Sequence, residues 1–227
     1  PGKFIIEWID KSTEEIYKLA TLWTDTGIRE SRSGVSYCLG RGTLIDMPRD
    51  LLKYPDGVPI ESLVGRAPFY VYGRLHDAPA VCLARRAWQS GKNIAVYQVN
   101  YEWYAFGKWY EGSIKATADH KFMLRSGKYR KLKYLQPGDC LMPFSRSTSG
   151  KYPVVGGPGG PVHQEYEHRF IIQQLLGDKF DERLIVHHKN GNKFDNRVKN
   201  LEVMSRQEHS LHHSQEEGIL EIRRIAG

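Results

Sequence analysis

The stretch His187-His-Lys-Asn-Gly-Asn-Lys-Phe-Asp-Asn196 decides the fold of the C-terminal part of this 227-residue chain. Its two histidines and the Asn, Gly and Asp residues after them predict a strand that runs into a polar loop. Leu201–Met204 predicts a second short strand, and a helix begins at Ser205. The helix start is supported by Glu208, because a serine hydroxyl can cap free N–H groups while a glutamate three residues on bonds back. The predicted order is therefore strand, loop, strand, helix.

Histidines stand at both ends of this predicted unit. His187 and His188 lie on the first strand, and His209 and His213 share one face of the helix because they are four residues apart. This arrangement can bring helix and strand imidazoles together around one divalent cation and a phosphate. Hydrolysis of a phosphodiester needs a general base for water, a cation that neutralises developing charge, and a group that orients the base. These residue types can supply all three.

The segment from Tyr166 to His213 resembles the HNH, or ββα-metal, endonucleases. The motifs that carry the resemblance are Tyr166-Glu-His-Arg169, His187-His188, Asn190-Gly-Asn-Lys193, Asp195-Asn-Arg197 and Asn200-Leu201. It implies that His188 is the general base and that the side-chain carbonyl of Asn200 holds its imidazole. It also implies His187, His209 and His213 as metal ligands, although in some members the last position contacts phosphate.

The same resemblance implies one divalent metal ion as cofactor and double-stranded DNA as partner. Imidazole ligands favour Zn²⁺, Ni²⁺ or Mn²⁺, whereas Mg²⁺ is the ion expected to serve in cells. A lone active site makes one nick, so a double-strand cut would need a second copy or a second binding event. The candidate DNA-binding residues are basic side chains of two loops: Lys189, Lys193, Arg197, Lys128, Arg130 and Lys131.

Two less specific interpretations of this segment are a His-rich surface helix beside a basic loop and a structural zinc site. Five of the nine histidines lie between positions 187 and 213, which favours a functional cluster. His212 is the exception, because it lies off the face that His209 and His213 share. We therefore expect His212 to be solvated.

Composition indicates ordinary globular protein, with 40% hydrophobic and 26% charged residues and no apolar run long enough to span a bilayer. The length allows one large or two small domains. The cysteines number three and form no Cys-x-x-Cys pair. A disulfide framework is therefore not expected. We expect a reducing compartment instead, namely the cytoplasm of a microbe or a phage host.

The net charge of +7 is concentrated in one part of the chain. Between Lys115 and Lys151 there are nine Lys and Arg residues against two Asp residues. Such a patch can neutralise phosphates without recognising bases. A solvated hairpin with charged faces is an equally good interpretation of the patch taken alone.

A second set of motifs begins at Cys38-Leu-Gly-Arg-Gly-Thr43 and continues with Thr117-Ala-Asp-His120 and Leu135-Gln-Pro-Gly-Asp-Cys-Leu-Met-Pro143. From Cys38 to Phe144 the chain resembles the N-terminal splicing region of inteins, the Hint fold. The resemblance implies that the Cys38 thiol attacks the carbonyl of Tyr37 and converts the amide to a thioester. His120 would protonate the departing amide nitrogen, and Thr117 would hold or polarise that peptide.

The chain departs from inteins in having no His-Asn dipeptide, the step that releases the C-extein. We therefore interpret it as an N-terminal intein part that needs a separate C-terminal fragment as partner. Together the resemblances imply a mainly β Hint-type splicing domain plus an α+β ββα-metal HNH domain. The implied boundaries are an N-extein segment at 1–37, the splicing domain at 38–144, a Gly-rich linker at 145–162, the HNH domain at 163–215 and a tail at 216–227 that returns as a strand.

Local patterns within these segments predict a strand over Phe4–Ile9, a helix over Ser12–Trp23, many short strands from Phe69 to Leu124, and a helix over His163–Leu176 closed by Gly177. Two alternative functions remain. One is a nickase whose Hint part no longer splices and serves only as a scaffold, and the other is a DNA-binding module that has lost cleavage.

Overall fold

The computed structural model describes residues 4–22, 38–66, 68–75, 78–105, 108–142, 144–156, 165–212 and 214. It is mostly β, with few helices. The strands are β1 (Phe4–Leu22), β2 (Leu39–Gly40), β3 (Leu44–Ile45), β4 (Val58–Pro59), β5 (Phe69–Leu75), β6 (Ala78–Ala105), β7 (Lys108–Ala116), β8 (Lys121–Met123), β9 (Tyr129–Lys131), β10 (Cys140–Leu141), β11 (Ser145–Ser149), β12 (Tyr152–Gly156), β13 (Glu165–Tyr166), β14 (Ile185–His188) and β15 (Leu201–Met204). The helix α1 spans Glu167–Leu176, and four 3₁₀ turns cover Ile60–Leu63, Leu132–Tyr134, Gly177–Lys179 and Val198–Asn200.

Strands β1 to β10 form what we call the β module, and its centre is a six-stranded antiparallel sheet. The strand order is β10-β1-β2-β7-β6-β5, and β1 also pairs with β6. The prediction of many short strands is wrong for β6, which is 28 residues long. Two apolar clusters pack on this framework, one around Ile60, Leu63 and Val71 and one around Val99 and Leu132.

The predicted helix over Ser12–Trp23 is wrong where the structure describes it. Residues 4–22 form one strand, whose register against β6 runs from Ile5 opposite Glu102 to Leu22 opposite Leu83. Helix propensity and a local Ser/Glu capping pair are weak determinants, and pairing along a long neighbouring strand overrides them. Trp23 and the rest of 23–37 lie outside the described residues.

Residues 145–156, within the predicted linker, form the hairpin β11–β12 instead. Ser145 pairs with Gly156 and Ser149 with Tyr152, and β12 also pairs with β13. Val154 and Val155 are buried, so the hairpin packs against the rest of the chain through β-branched side chains that the Gly-rich composition obscured. Residues 157–162 of the predicted linker and the predicted tail at 216–227 lie outside the described residues.

The C-terminal part has the predicted order of strand, loop, strand and helix. In the antiparallel pair β14–β15, His187 lies opposite Glu202 and His188 opposite Leu201. Residues 206–212 are helical. The predicted capping pair is confirmed, because Ser205 N donates to Glu208 Oε2 over 2.7 Å and Glu208 N donates to Ser205 Oγ over 3.2 Å.

The other predicted helix of this part is α1, which begins at Glu167 rather than at His163. Gly177 ends it with a positive φ of 55°, as the sequence predicted. Ile171 and Ile172 of α1 pack with Val186 and Leu201 in the core of this part. Among the described residues, no helix combines the length and the apolarity that crossing a membrane requires.

The loop between β14 and β15 is attached to the β module. Leu51 N donates to Phe194 O over 2.9 Å, and Asn196 N donates to Arg49 O over 2.9 Å. Asp50 and Asp195 form an antiparallel bridge between these two hydrogen bonds. The loop geometry therefore depends on residues far away in sequence.

Candidate active site

Strand β14 presents two neighbouring imidazoles to two different environments. His187 and His188 are both buried, and adjacent residues of a strand point to opposite faces. The His187 ring lies 5.3 Å, centroid to centroid, from His209 and 4.8 Å from His212. The His188 ring lies 5.1 Å from His168, a residue of α1. The strand thus separates a helix-facing imidazole cluster from a second ring pair.

The helix-facing cluster contains two of the residues predicted to hold a metal ion, His187 and His209. Two imidazoles that bind one tetrahedral ion with Zn–N bonds of about 2 Å place their ring centroids about 5 Å apart, which the spacing of His187 and His209 matches. Within the described part of the chain, no group of three or more His, Cys, Asp or Glu side chains is arranged to hold a metal. His213, the third predicted ligand, lies outside the described residues. The structure therefore brings two of the three predicted ligands together.

The expectation that His212 is solvated is wrong. Its ring is partly buried and lies against His187. The sequence argument considered only the i,i+4 pair His209 and His213, but residues three apart, such as His209 and His212, are also neighbours on a helix surface. His212 therefore belongs to the imidazole cluster.

His188 is held by an asparagine that the sequence analysis did not select. Its Nε2 lies 2.9 Å from Asn196 Oδ1, and this pair is buried. Burial lowers the pKa of His188, while the hydrogen bond to Asn196 partly opposes that shift. The ring is therefore neutral at pH 7, as a general base must be.

Asn200 has a different role from the one predicted. Its Oδ1 accepts from Asn190 N over 3.2 Å, and its Nδ2 donates to Asn190 Oδ1 over 2.9 Å and to Asp195 O over 2.8 Å. These bonds tie the two ends of the loop together rather than orienting His188. The motif Asp195-Asn-Arg197 contained the orienting residue, but spacing alone could not distinguish Asn196 from Asn200.

Glu167 is the other functional side chain that the sequence analysis missed. It is fully buried at the start of α1 and accepts from Asn196 Nδ2 over 2.8 Å. It also accepts from Tyr72 OH over 2.6 Å and from Arg146 Nη2 over 2.7 Å. Burial, reinforced by the Glu167 carboxylate, raises the pKa of Tyr72, so the phenol stays protonated and donates.

The predicted DNA-binding residues differ in how far they are free to meet phosphate. Lys189 and Lys128 are exposed, and the Lys193 ammonium lies 4.8 Å above the Tyr152 ring. Three others are bound by carboxylates: Arg197 by Asp195, Arg130 by Asp139 and Lys131 by Asp119. The hydrogen bond from Arg197 lowers the pKa of Asp195 and fixes the guanidinium beside the loop.

The residues of the second predicted site lie on the β module. Cys38 is fully buried, and its backbone N donates to Thr117 Oγ1 over 3.3 Å. Its Sγ lies 3.3 Å from Ser90 Oγ. His120 follows in the same turn, with its backbone N donating to Thr117 O over 2.9 Å, and burial lowers the pKa of its imidazole to about 4. Tyr37 lies outside the described residues.

We expect acid to destabilise the fold through His120. The buried Nδ1 of this ring has no hydrogen-bond partner among the described residues, and its pKa falls from 6.5 to about 4 on folding. The unfolded chain therefore binds more protons between pH 6.5 and 4, so the free energy of unfolding decreases as pH falls through that window, by at most about 1.4 kcal/mol per pH unit for this group. Urea unfolding at pH 7 and pH 5 measures the loss. His120→Gln should reduce it, and an unchanged pH dependence in that variant would contradict the assignment.

Comparison with known proteins supports one of the two resemblances. Residues 165–211 match the family model of the HNH endonucleases. No curated protein matches the chain significantly. HNH endonucleases cleave DNA and generally use a divalent metal ion. The matched residues contain α1, the β14–β15 pair, the asparagine-rich loop and the beginning of the following helix, with His187, His188 and His209 in the positions described above. Residues 165–211 of this mainly β chain therefore constitute an HNH endonuclease domain.

Proposed function

We propose that the chain is a DNA endonuclease that hydrolyses one phosphodiester at a site built from β14, its loop and the following helix. The observation that carries the proposal is the placement of His187 and His188. One ring faces His209 on the helix, and the other is held by Asn196 on the opposite side. A cation site and a general base are thereby separated by the width of a single strand.

His188 is the general base in this proposal. Its ring is neutral at pH 7 and can take a proton from the attacking water, with Asn196 holding the imidazole in place. His187 and His209 would hold the divalent ion, Mg²⁺ in cells or a softer ion such as Mn²⁺ or Zn²⁺. When bound, that ion neutralises the charge that develops on the phosphate and the leaving oxygen. Lys189, Lys193 and Arg197 border the loop and supply positive charge to neighbouring phosphates.

Supercoiled plasmid incubated with the full chain and Mg²⁺ or Mn²⁺ tests this function. One active site per chain predicts that open circles appear before linear DNA. A second copy, bound on the other strand, would convert nicks to double-strand cuts at higher protein concentration. Plasmid that is retained by the protein in a gel but never nicked would instead favour a DNA-binding module without cleavage.

A second candidate function is an N–S acyl shift at Cys38, as the first step of protein splicing in trans. The observation that favours it is the hydrogen bond from the Cys38 amide nitrogen to Thr117 Oγ1. In this step the Cys38 thiol would add to the Tyr37 carbonyl, the C–N bond would break, and the amide nitrogen would take up a proton. The low pKa of His120 leaves about one ring in a thousand protonated at pH 7, so this residue is an acid only if the site rearranges.

We expect ligated product when the chain is mixed with a C-terminal intein fragment that supplies the missing His-Asn step. The product would be detected as a new band on a denaturing gel, and Cys38→Ala should eliminate it because no thioester can form. Incubation with a strong thiol should also cleave the chain at Cys38 if the thioester forms alone. If neither ligation nor thiol cleavage occurs while Cys38 is intact, the second function is refuted. The β module would then serve as a scaffold for the nuclease. A reducing cytoplasm suits this chemistry, and all three cysteines are free thiols.

A further inference from the structure

We infer that the β module positions the general base of the nuclease through a relay of three side chains, Tyr72, Glu167 and Asn196, which fixes both the orientation and the tautomer of His188. The inference rests on the proposed role of His188. The three are positioning residues, because each acts on His188 through its neighbour in the relay. The consecutive contacts are 2.6 Å, 2.8 Å and 2.9 Å long.

The tautomer follows from the amide of Asn196. A carboxylate has only acceptor oxygens, so the group that Asn196 turns towards Glu167 must be its Nδ2 donor. The amide therefore turns Oδ1 towards His188, and Oδ1 can only accept. His188 Nε2 must then carry the proton, which leaves Nδ1 as the nitrogen with a free lone pair. The relay thus selects the atom that receives the proton from water.

Glu167 is itself fixed from the β module. Tyr72 lies on β5 and donates its phenol proton to Glu167 Oε1. Arg146 binds both carboxylate oxygens, at 3.1 Å and 2.7 Å, and is bound in turn by Asp46 of the β module at 3.1 Å. If a fully buried carboxylate loses one of these donors, its desolvation still costs free energy, but the hydrogen bond that offset this cost is gone. Rotation of Glu167 away from Asn196 is the expected response.

The backbone of Asn196 is held by the same module. Its N–H donates to Arg49 O over 2.9 Å, beside the bridge between Asp50 and Asp195. The backbone of the residue that orients His188 is therefore tied to Arg49, 147 positions earlier in the chain. Its side chain is tied to Glu167, whose donor Tyr72 lies 124 positions before Asn196. Alignment of the base becomes a property of the whole chain rather than of the HNH domain.

Tyr72→Phe in the full chain is the first test, with Tyr70→Phe, two residues along the same strand, as the matched control. Both variants lose one hydroxyl, but only the first loses a relay bond. We expect Tyr72→Phe to lower kcat for plasmid nicking about 10-fold, the low end of the effect of losing an outer orienting partner, with KM for DNA unchanged. Tyr70→Phe should behave as the wild type. A wild-type kcat in Tyr72→Phe, an equal loss in Tyr70→Phe, or a change in KM alone would overturn the inference.

An exchange of donor and acceptor is the second test. Asn196→Asp places two carboxylates against each other and should lower kcat further than Tyr72→Phe. Adding Glu167→Gln restores one donor–acceptor pair, because the glutamine amide can donate to the aspartate while the aspartate still accepts from His188 Nε2–H. We expect the double variant to recover at least part of the lost kcat, and a double variant worse than Asn196→Asp would count against the relay.

Nitrogen NMR of the imidazoles separates this inference from the proposed function. In the metal-free wild type, the His188 ring should carry its proton on Nε2, and Asn196→Ala should allow both tautomers. A ring protonated on Nδ1 in the wild type would overturn the relay even if the chain cleaves DNA. Conversely, a chain that never cleaves DNA but shows the Nε2–H form would refute the nuclease activity and leave the positioning intact.

Discussion

His188→Ala should abolish plasmid nicking while leaving DNA retention nearly unchanged. Removal of a general base costs about 10²-fold to 10⁴-fold in rate. DNA affinity should persist because it comes from basic side chains such as Lys189 and Lys193, which the substitution does not touch. Nicking rates under saturating DNA, together with a gel-shift titration, measure the two quantities separately.

The substitution is suited to this comparison because His188 is buried and the hydrogen bond of its ring goes to Asn196. The lost ring leaves Asn196 Oδ1 without its partner, which lowers stability by about 1–3 kcal/mol but leaves the hydrogen bonds of the loop through Asn200 in place. A thermal melt should therefore show a folded variant at assay temperature. Nicking by folded His188→Ala at the wild-type rate would remove this residue from the mechanism.

Chelation of divalent ions should stop cleavage completely, and His187→Ala should raise the metal concentration needed for half-maximal nicking by about 100-fold or more. Even the partners that orient a ligand change metal affinity by 10-fold to 100-fold, and His187 is placed to bind the ion directly. His209→Ala should have a similar effect. Titration of Mn²⁺ into each variant, followed by calorimetry and by nicking rate, measures the change.

His212→Ala is the matched comparison in that experiment, because His212 and His209 both face the His187 ring. We expect His212→Ala to retain most of the metal affinity. If His212→Ala weakens metal binding and His209→Ala does not, the ligand from the helix is His212 and the assignment of His209 is wrong. Cleavage that resists a chelator would refute the metal-dependent mechanism altogether.

The parts of the fold that depend on neighbouring residues were predictable. The strand pair, its loop and the capped helix follow from short-range patterns, and so does the end of α1 at Gly177. The helix predicted over Ser12–Trp23 failed because its local capping signal competes with pairing to residues of β6 that lie 61 to 84 positions away. Local propensity contains no information about such a partner.

The same distinction applies to the site. The positions of His187, His188 and His209 could be inferred because they belong to one motif, and two of these rings meet as expected. Glu167 and its partner Tyr72 are 95 residues apart, and neither stands in a recognisable pattern with the other. Asn196 and Asn200 are chemically equivalent in the sequence, so only the amide geometry shows which of them reaches the imidazole. Buried polar networks assembled from distant segments are invisible to spacing arguments.

The pairing of β1 with β6 has a consequence for any product of acyl transfer at Cys38. Scission of the bond before Cys38 would break the covalent link between residues 1–37 and the rest of the chain. Backbone hydrogen bonds would still join β1 to β6 from Ile5 to Leu22. The severed piece would therefore stay docked on the sheet and co-elute with the remainder under native conditions. Its departure would require denaturant, or a competing strand able to displace β1 from β6 and from its other partners, β2 and β10.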